Sequence, residues 1–150
     1  MYKLYLDNCC YSRLSDDRTQ ITTFLECEAI KLIFEAADNK YIKIVGSEML
    51  VKEIDACSDE RRKIRSSLLL IFCSEFKQID DSIMKRSKEI RDNSNIHPAD
   101  SIHLACAESM NVDALITTDY RFIRMASNIT TLKVINPIDW IKEVSFYDGN

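Results

Sequence analysis

Short apolar strands alternate with amphipathic helical segments along this 150-residue chain. The first apolar run, Tyr2–Leu6, is rich in residues that favour β-structure, and it stops at Asp7. Apolar residues then recur at helical spacing from Ile21 to Ala37. The same change of period repeats to the end of the chain, and it predicts a series of βαβ units.

Four further strands and six further helices follow from this pattern. Capping residues and a helix-opening proline support several of the helix starts. The predicted strands are Tyr41–Val45, Phe76–Ile79, Ala114–Ile116 and Leu132–Ile135. Of the predicted helices, the first begins after Ser47 and the second at Ser58. The third runs from Asp80 or Asp81 to about Arg91, and the fourth from Pro98 to about Met110. The last two begin near Tyr120 and at Pro137.

Strands that alternate with helices predict a parallel sheet, because each crossover helix has to pack on a face of the sheet. We therefore predict an α/β fold with three layers, α/β/α, and a central parallel sheet of about five strands. The length suits a single domain spanning residues 1–150. Only the tail, Tyr147–Asn150, is predicted to be loose.

Composition predicts a chain without a membrane span. The longest apolar run, Leu68–Phe72, is far shorter than the ~20 residues that a transmembrane helix requires. No signal peptide is visible, so we expect a cytoplasmic location, where the six cysteines would stay reduced. Their spacing does not match a zinc motif. Four of them are expected to be small core residues: Cys27, Cys57, Cys73 and Cys106.

Acidic side chains stand where strands end. Asp7 follows the first strand and Asp119 follows the fourth. Glu53 lies about two turns into the helix after the second strand, and Asp100 lies in the first turn of the helix that leads into the fourth. Ligands bind beyond the carboxyl ends of the strands in open parallel sheets, so these carboxylates can converge if the strands are neighbours. Their oxygens suit Mg²⁺ or Mn²⁺, ions that activate water and orient a phosphodiester.

Four segments surround these acids: Leu4–Asn8, Ser47–Ile54, Pro98–Ala107 and Leu115–Phe122. These segments resemble the PIN-domain family, and they occur in the family's order. The resemblance implies a sheet with the first strand at its centre and an acidic pocket for Mg²⁺ or Mn²⁺. It implies a metal-dependent endoribonuclease that cleaves single-stranded or structured RNA. Many members are toxins of the VapC type, so it also implies a small antitoxin partner and a homodimer.

The resemblance also assigns roles to single residues. Thr117, two residues before the last acid, would orient that acid, and Asn8 would support the site. His103 follows Asp100 by three residues and lies on a similar helix face. It could be a ligand or an acid–base group, but a hydrogen-bonded, half-buried histidine is the favoured interpretation. The catalytic, metal-binding acids would be Asp7, Glu53, Asp100 and Asp119.

Two departures from the family pattern support a second hypothesis, a catalytically silent PIN domain that binds protein or RNA. Cys9 stands where members often have Asn or Ser, and Arg121 stands where many toxins have another acid. A third hypothesis, a receiver-like phosphate-binding domain, also uses acids at strand ends. It requires a lysine after the last strand, whereas Lys133 precedes or opens that strand.

Charge adds one further expectation. The net charge of −4 argues against a general nucleic-acid binder, because phosphate neutralisation supplies most of the affinity of such proteins. The negative charge argues less strongly against a nuclease, because the carboxylates of a nuclease hold cations that contact phosphate. Basic residues on two predicted helices would carry RNA phosphates if those faces border the acidic pocket, although most such runs are solvated faces. They include Arg61, Arg65, Lys85 and Lys88.

Overall fold

The computed structural model describes residues 1–144, which form a five-stranded sheet flanked by helices. The predicted tail, Tyr147–Asn150, lies outside the described residues. The strands are β1 (Tyr2–Leu6), β2 (Ile42–Ser47), β3 (Cys73–Lys77), β4 (Ala114–Ile116) and β5 (Val134–Ile135). The helices are α1 (Asn8–Arg13), α2 (Ile21–Asp38), α3 (Glu48–Asp55), α4 (Glu60–Leu69), α5 (Asp81–Asp92), α6 (Pro98–Ser109), α7 (Tyr120–Ala126) and α8 (Pro137–Glu143).

Every neighbouring pair of strands in the sheet is parallel, and the strand order is β3-β2-β1-β4-β5. The predicted three-layer α/β/α class is confirmed, and so is the central place of β1. Leu6 of β1 is in register with Ile116 of β4. The carboxyl ends of these two strands therefore lie side by side, where ligands bind in sheets of this kind.

Alternation along β1 divides the core between the two faces of the sheet. Leu4 and Leu6 are fully buried in one cluster with apolar residues of α2, α3 and α8. Tyr5 points the other way, into a cluster formed with α5, α6 and α7. Tyr5 is thus a polar-tipped residue held inside the second core layer, next to α6.

Two local features of the structure differ from the predicted pattern. Helix α1 was not predicted, because Asn8-Cys9-Cys10-Tyr11-Ser12-Arg13 has weak intrinsic helix propensity. Tertiary contacts decide it, since Cys10 and Tyr11 are fully buried and Asp7 caps the first turn. Strand β3 begins at Cys73 rather than Phe76, because Cys73 pairs with Ile44 of β2.

Some apolar side chains lie nearer the surface than their type suggests. Cys27 and Cys106 are buried as predicted, but Cys57 and Cys73 are half-buried, which corrects the expectation for these two. Cys57 lies beyond the end of α3, and Cys73 opens the edge strand β3. Three residues of α4 and the turn after it form an exposed apolar stripe: Ile64 (56% exposed), Leu68 (68%) and Ile71 (83%).

None of the helices within residues 1–144 is both long enough and apolar enough to cross a membrane.

Candidate metal centre

Asp7 is the most deeply placed of the four predicted acids. It follows β1 directly, caps α1 and is only 6% exposed. Its Oδ1 accepts the backbone N–H of Asn8 at 2.7 Å, and its Oδ2 accepts the hydroxyl of Thr117 at 3.0 Å. The Cys9 thiol also donates to Oδ2, at 3.6 Å. These bonds fix the carboxylate at the junction of β1 and β4.

Glu53 and His103 reach the same point from two helices. Helix α3 packs on α6, and the Nε2 atom of His103 forms a hydrogen bond with Oε1 of Glu53. The same Nε2 lies 3.6 Å from Oδ1 of Asp7. One potential ligand atom from each of the three residues lies within 4.8 Å of the other two. The side chains of Asp7, Glu53 and His103 therefore form one compact cluster, although they are far apart in the sequence.

His103 is completely buried, not half-buried as the sequence suggested. Burial by itself disfavours its protonated form. The hydrogen bond to Glu53 and the negative charges of Asp7 and Glu53 outweigh burial, so the pKa of His103 is raised. On its other side, Nδ1 of His103 is 2.5 Å from the hydroxyl of Tyr5.

Asp100 and Asp119 border this cluster. Asp100 is half-buried in the first turn of α6. Its burial, together with the negative charges of Asp7 and Asp119, raises the pKa of Asp100 to about 6. Asp119 is exposed and caps α7, and its Oδ1 accepts the backbone N–H groups of Arg121 and Phe122 at 3.0 and 3.1 Å. Its other carboxylate oxygen makes no hydrogen bond within residues 1–144.

The charge balance around the four acids fits a divalent cation. Within the described part of the chain, no lysine or arginine forms an ion pair with any of them, and His103 is the one basic side chain that does. Clustered carboxylates repel one another, and this repulsion adds to burial in raising the pKa of Asp100. Hard oxygen donors in this number suit Mg²⁺ or Mn²⁺, which bind a few carboxylates and keep several waters.

The supporting residues differ in detail from their predicted places. Thr117 orients Asp7 through its hydroxyl, and its only bond to Asp119 is with the backbone N–H, at 3.2 Å. The hydroxyl of Thr117 thus contacts the backbone of Asp119, the acid that it was predicted to orient, and its bond to Asp7 was not predicted. Asn8 contributes its backbone N–H to Asp7. The side chain of Arg121 is exposed, and it forms no ion pair within residues 1–144.

The predicted basic residues all lie on exposed faces of α4 and α5. Lys88 pairs with Asp92 at 2.7 Å. Among residues 1–144, none of the four contacts a predicted acid through a hydrogen bond or an ion pair. Contact with RNA phosphates therefore stays a prediction for these four residues, which are Arg61, Arg65, Lys85 and Lys88.

Sequence reasoning did not find Tyr5 and predicted Ser47 only as an N-cap. Ser47 does cap α3, accepting the backbone N–H of Leu50 at 3.2 Å, and it also bonds to the Tyr5 hydroxyl at 2.6 Å. One signal was available: a tyrosine in a buried strand requires a hydrogen-bond partner for its hydroxyl. The identity of that partner depends on the fold.

Comparison with known proteins gives a consistent result. The family model described as "PIN domain" matches residues 43–128. The fold is similar to that of a toxin–antitoxin complex from Klebsiella pneumoniae, with 19% identity, a TM-score of 0.61, and coverage of 89% of this chain and 97% of that one. It is also similar to VapBC2 from Rickettsia felis bound to a promoter DNA fragment, with 16% identity, a TM-score of 0.58, and coverage of 89% of this chain and 98% of that one. A third similar structure is VapBC-1 from nontypeable Haemophilus influenzae, with 15% identity, a TM-score of 0.58, and coverage of 90% of this chain and 98% of that one. No curated protein matches the sequence.

Proposed function

The chain belongs to the PIN domain family, and from this premise we propose that it is a metal-dependent endoribonuclease acting on single-stranded or structured RNA. The observation that carries the proposal is the convergence of Asp7 and Glu53, with Asp100 and Asp119 beside them, at the carboxyl ends of β1 and β4. This placement supports a site for Mg²⁺ or Mn²⁺. RNA as the substrate is inferred from the family.

The side chains of such a site would have different roles in holding the ion. Asp7 and Asp100 would be the principal ligands, since both are partly or fully buried beside one another. Thr117 holds Asp7 in place, and Asp119 offers the oxygen that its helix cap leaves unbonded. When bound, a divalent ion lowers the pKa of a coordinated water and stabilises negative charge on a phosphodiester.

The test is RNA cleavage by the purified chain. We expect a labelled single-stranded RNA to be cut in the presence of Mn²⁺ or Mg²⁺, and cleavage to stop when EDTA removes the ion. DNA of the same sequence serves as the control for substrate class. Cleavage that persists in EDTA would contradict the proposal.

One observation favours a second candidate function, the silent PIN domain that binds protein or RNA. His103 stands between Glu53 and Asp7, where its protonated form would offset their charge without an ion. Calorimetric titration with Mn²⁺ separates the two functions. Binding at micromolar concentration supports the nuclease, whereas no binding below millimolar concentration supports the silent module.

We also propose a small antitoxin as a partner, because the three similar structures are toxin–antitoxin complexes. The exposed apolar stripe of Ile64, Leu68 and Ile71 supports a partner-binding surface, since a protein surface rarely leaves such residues together in water. A gene for a small DNA-binding protein beside this one would identify the candidate. A homodimer remains an expectation from the family.

Replacing Leu68 with aspartate should weaken the complex with that partner by at least about 10-fold, because a charge would replace a buried apolar contact. Met84 provides a matched control, since it is also exposed and apolar (44%) but lies on α5 in the other helical layer. We expect Met84→Asp to bind normally and both variants to cleave RNA normally. If calorimetry shows that Leu68→Asp and the wild type bind the partner with equal affinity, the stripe is excluded as the partner-binding surface.

A further inference from the structure

A chain of buried hydrogen bonds leads from the sheet to the candidate metal centre. Ser47 at the end of β2 lies 2.6 Å from the hydroxyl of Tyr5 in β1, and this hydroxyl lies 2.5 Å from Nδ1 of His103 on α6. Nε2 of His103 then bonds to Glu53 on α3. Ser47, Tyr5 and His103 are all 0% exposed. Four separate elements therefore contribute one residue each to a single connected path.

The hydrogens along this path have one consistent direction when His103 is neutral. The backbone N–H of Leu50 donates to Ser47, the Ser47 hydroxyl donates to Tyr5, and the Tyr5 hydroxyl donates to Nδ1 of His103. The hydrogen of the imidazole then stands on Nε2 and points to the carboxylate of Glu53. The opposite tautomer would set an Nε2 lone pair against a carboxylate oxygen. An imidazolium, with hydrogens on both nitrogens, presents the same Nε2–H to Glu53.

We propose that His103 and Tyr5 are positioning residues: His103 holds the Glu53 carboxylate beside Asp7, and Tyr5 fixes the ring of His103 in the orientation that does so. The proposal rests on the proposed function, because the ion is what Glu53 is positioned for. Ser47 anchors the path to β2. The residues act through Glu53 and do not themselves contact the ion.

Packing alone does not explain these residues. A phenylalanine would fill the apolar surroundings of Tyr5 without the cost of burying a hydroxyl. The Tyr5 hydroxyl and the His103 ring are buried, but each has hydrogen-bond partners. The bond from Tyr5 to His103 and the bond from His103 to Glu53 both lead towards the candidate metal centre. Metal-binding residues are commonly oriented by a second layer of hydrogen-bonding groups in this way.

Nuclear magnetic resonance of the ring nitrogens tests the path directly, because the chain has only two histidines. His97 is exposed, and a His97→Asn variant assigns the signals. We expect His103 in the metal-free protein to carry a hydrogen on Nε2 and to keep it when Mg²⁺ saturates the site. A hydrogen on Nδ1 alone would overturn the proposal. Loss of the Nε2 hydrogen on Mg²⁺ binding would also overturn it, since His103 would then be a ligand.

Mn²⁺ affinity, measured by calorimetry, tests what the path does. Tyr5→Phe removes one hydroxyl and should weaken Mn²⁺ binding by about 10-fold, the lower end of the range for groups that support a ligand. Tyr11→Phe is the matched control, since Tyr11 is equally buried but bonds to Cys73. It should bind Mn²⁺ like the wild type. His103→Leu should lose more affinity than Tyr5→Phe, and His103→Gln, which keeps an N–H donor, should recover part of the loss.

The outcomes separate this proposal from the proposed function. A wild-type chain that binds neither Mg²⁺ nor Mn²⁺ defeats both. A wild-type chain that binds Mn²⁺, with equal affinity in Tyr5→Phe and His103→Leu, defeats the positioning role and leaves the nuclease standing. Tyr5→Phe alters no apolar contact, so a folding defect in His103→Leu would not prevent this comparison.

Discussion

Replacing Asp7 with asparagine is expected to reduce RNA cleavage by more than about 100-fold and to abolish measurable Mn²⁺ binding. Loss of a group that merely supports a ligand already costs about 10–100-fold in metal affinity or activity, and Asp7 is the carboxylate at the centre of the cluster. The amide oxygen of asparagine would still accept the Asn8 N–H. The hydroxyl of Thr117 can turn to accept from the new amide group. The fold should therefore survive.

The metal-free variant should be at least as stable as the wild type, because one negative charge leaves a repulsive cluster. Asp80→Asn is the matched control: Asp80 caps α5 as Asp7 caps α1, but it stands outside the cluster. We expect Asp80→Asn to retain cleavage and Mn²⁺ binding. Thermal unfolding verifies that both variants are folded, and undiminished cleavage by Asp7→Asn would refute the metal centre.

Much of the site follows from topology, which is why the sequence predicts it. Once β1 and β4 are neighbours, Asp7 and Asp119 must lie at the same edge of the sheet. Strand periodicity and the helix-opening Pro98 are local signals, and they placed both acids and Asp100 correctly relative to their elements. Local signals suffice for residues whose position is set by the end of a strand or the start of a helix.

The contacts within the site could not be predicted in the same way. Tyr5 and His103 are 98 residues apart, and their bond depends on how α6 packs against the sheet. The hydroxyl of Thr117 accepts from the backbone of Asp119, two residues later, but it also donates to Asp7 at the end of the adjacent strand. Side-chain partners are set by three-dimensional proximity, so sequence spacing revealed neither the bond from Thr117 to Asp7 nor the role of Tyr5.

The acids that would hold an ion also cost the metal-free fold some stability. Burial, together with the charges of Asp7 and Asp119, raises the pKa of Asp100 to about 6, because a further negative charge is unfavourable there. An ion would convert this repulsion into attraction. Stability and ion binding are therefore linked through the same carboxylate, and both should change over one range of pH.

Mn²⁺ at about 100 times its dissociation constant should stabilise the fold by ~2.7 kcal/mol and raise the unfolding temperature by roughly 5–10 °C. The effect should depend on pH through Asp100. Its pKa is about 6 in the folded protein and 3.8 ordinarily, so between pH 4 and pH 6 the folded state keeps a proton that the unfolded state has lost. Without an ion, the contribution of Asp100 to stability must decline as pH rises through this range. The ion binds the ionised form, so its stabilising effect should grow over the same range.

Trp140 offers a probe for this measurement, since it is the only tryptophan and is 2% exposed. Its fluorescence on heating, at pH 5 and pH 7.5 and with or without Mn²⁺, gives the four unfolding temperatures required. In Asp100→Asn the metal-free protein should be more stable at pH 7.5 than the wild type, and the effect of Mn²⁺ should largely disappear. A Mn²⁺ effect that is larger at pH 5 than at pH 7.5 would mean that Asp100 does not bind the ion, because protons would then not be competing with the metal for that carboxylate.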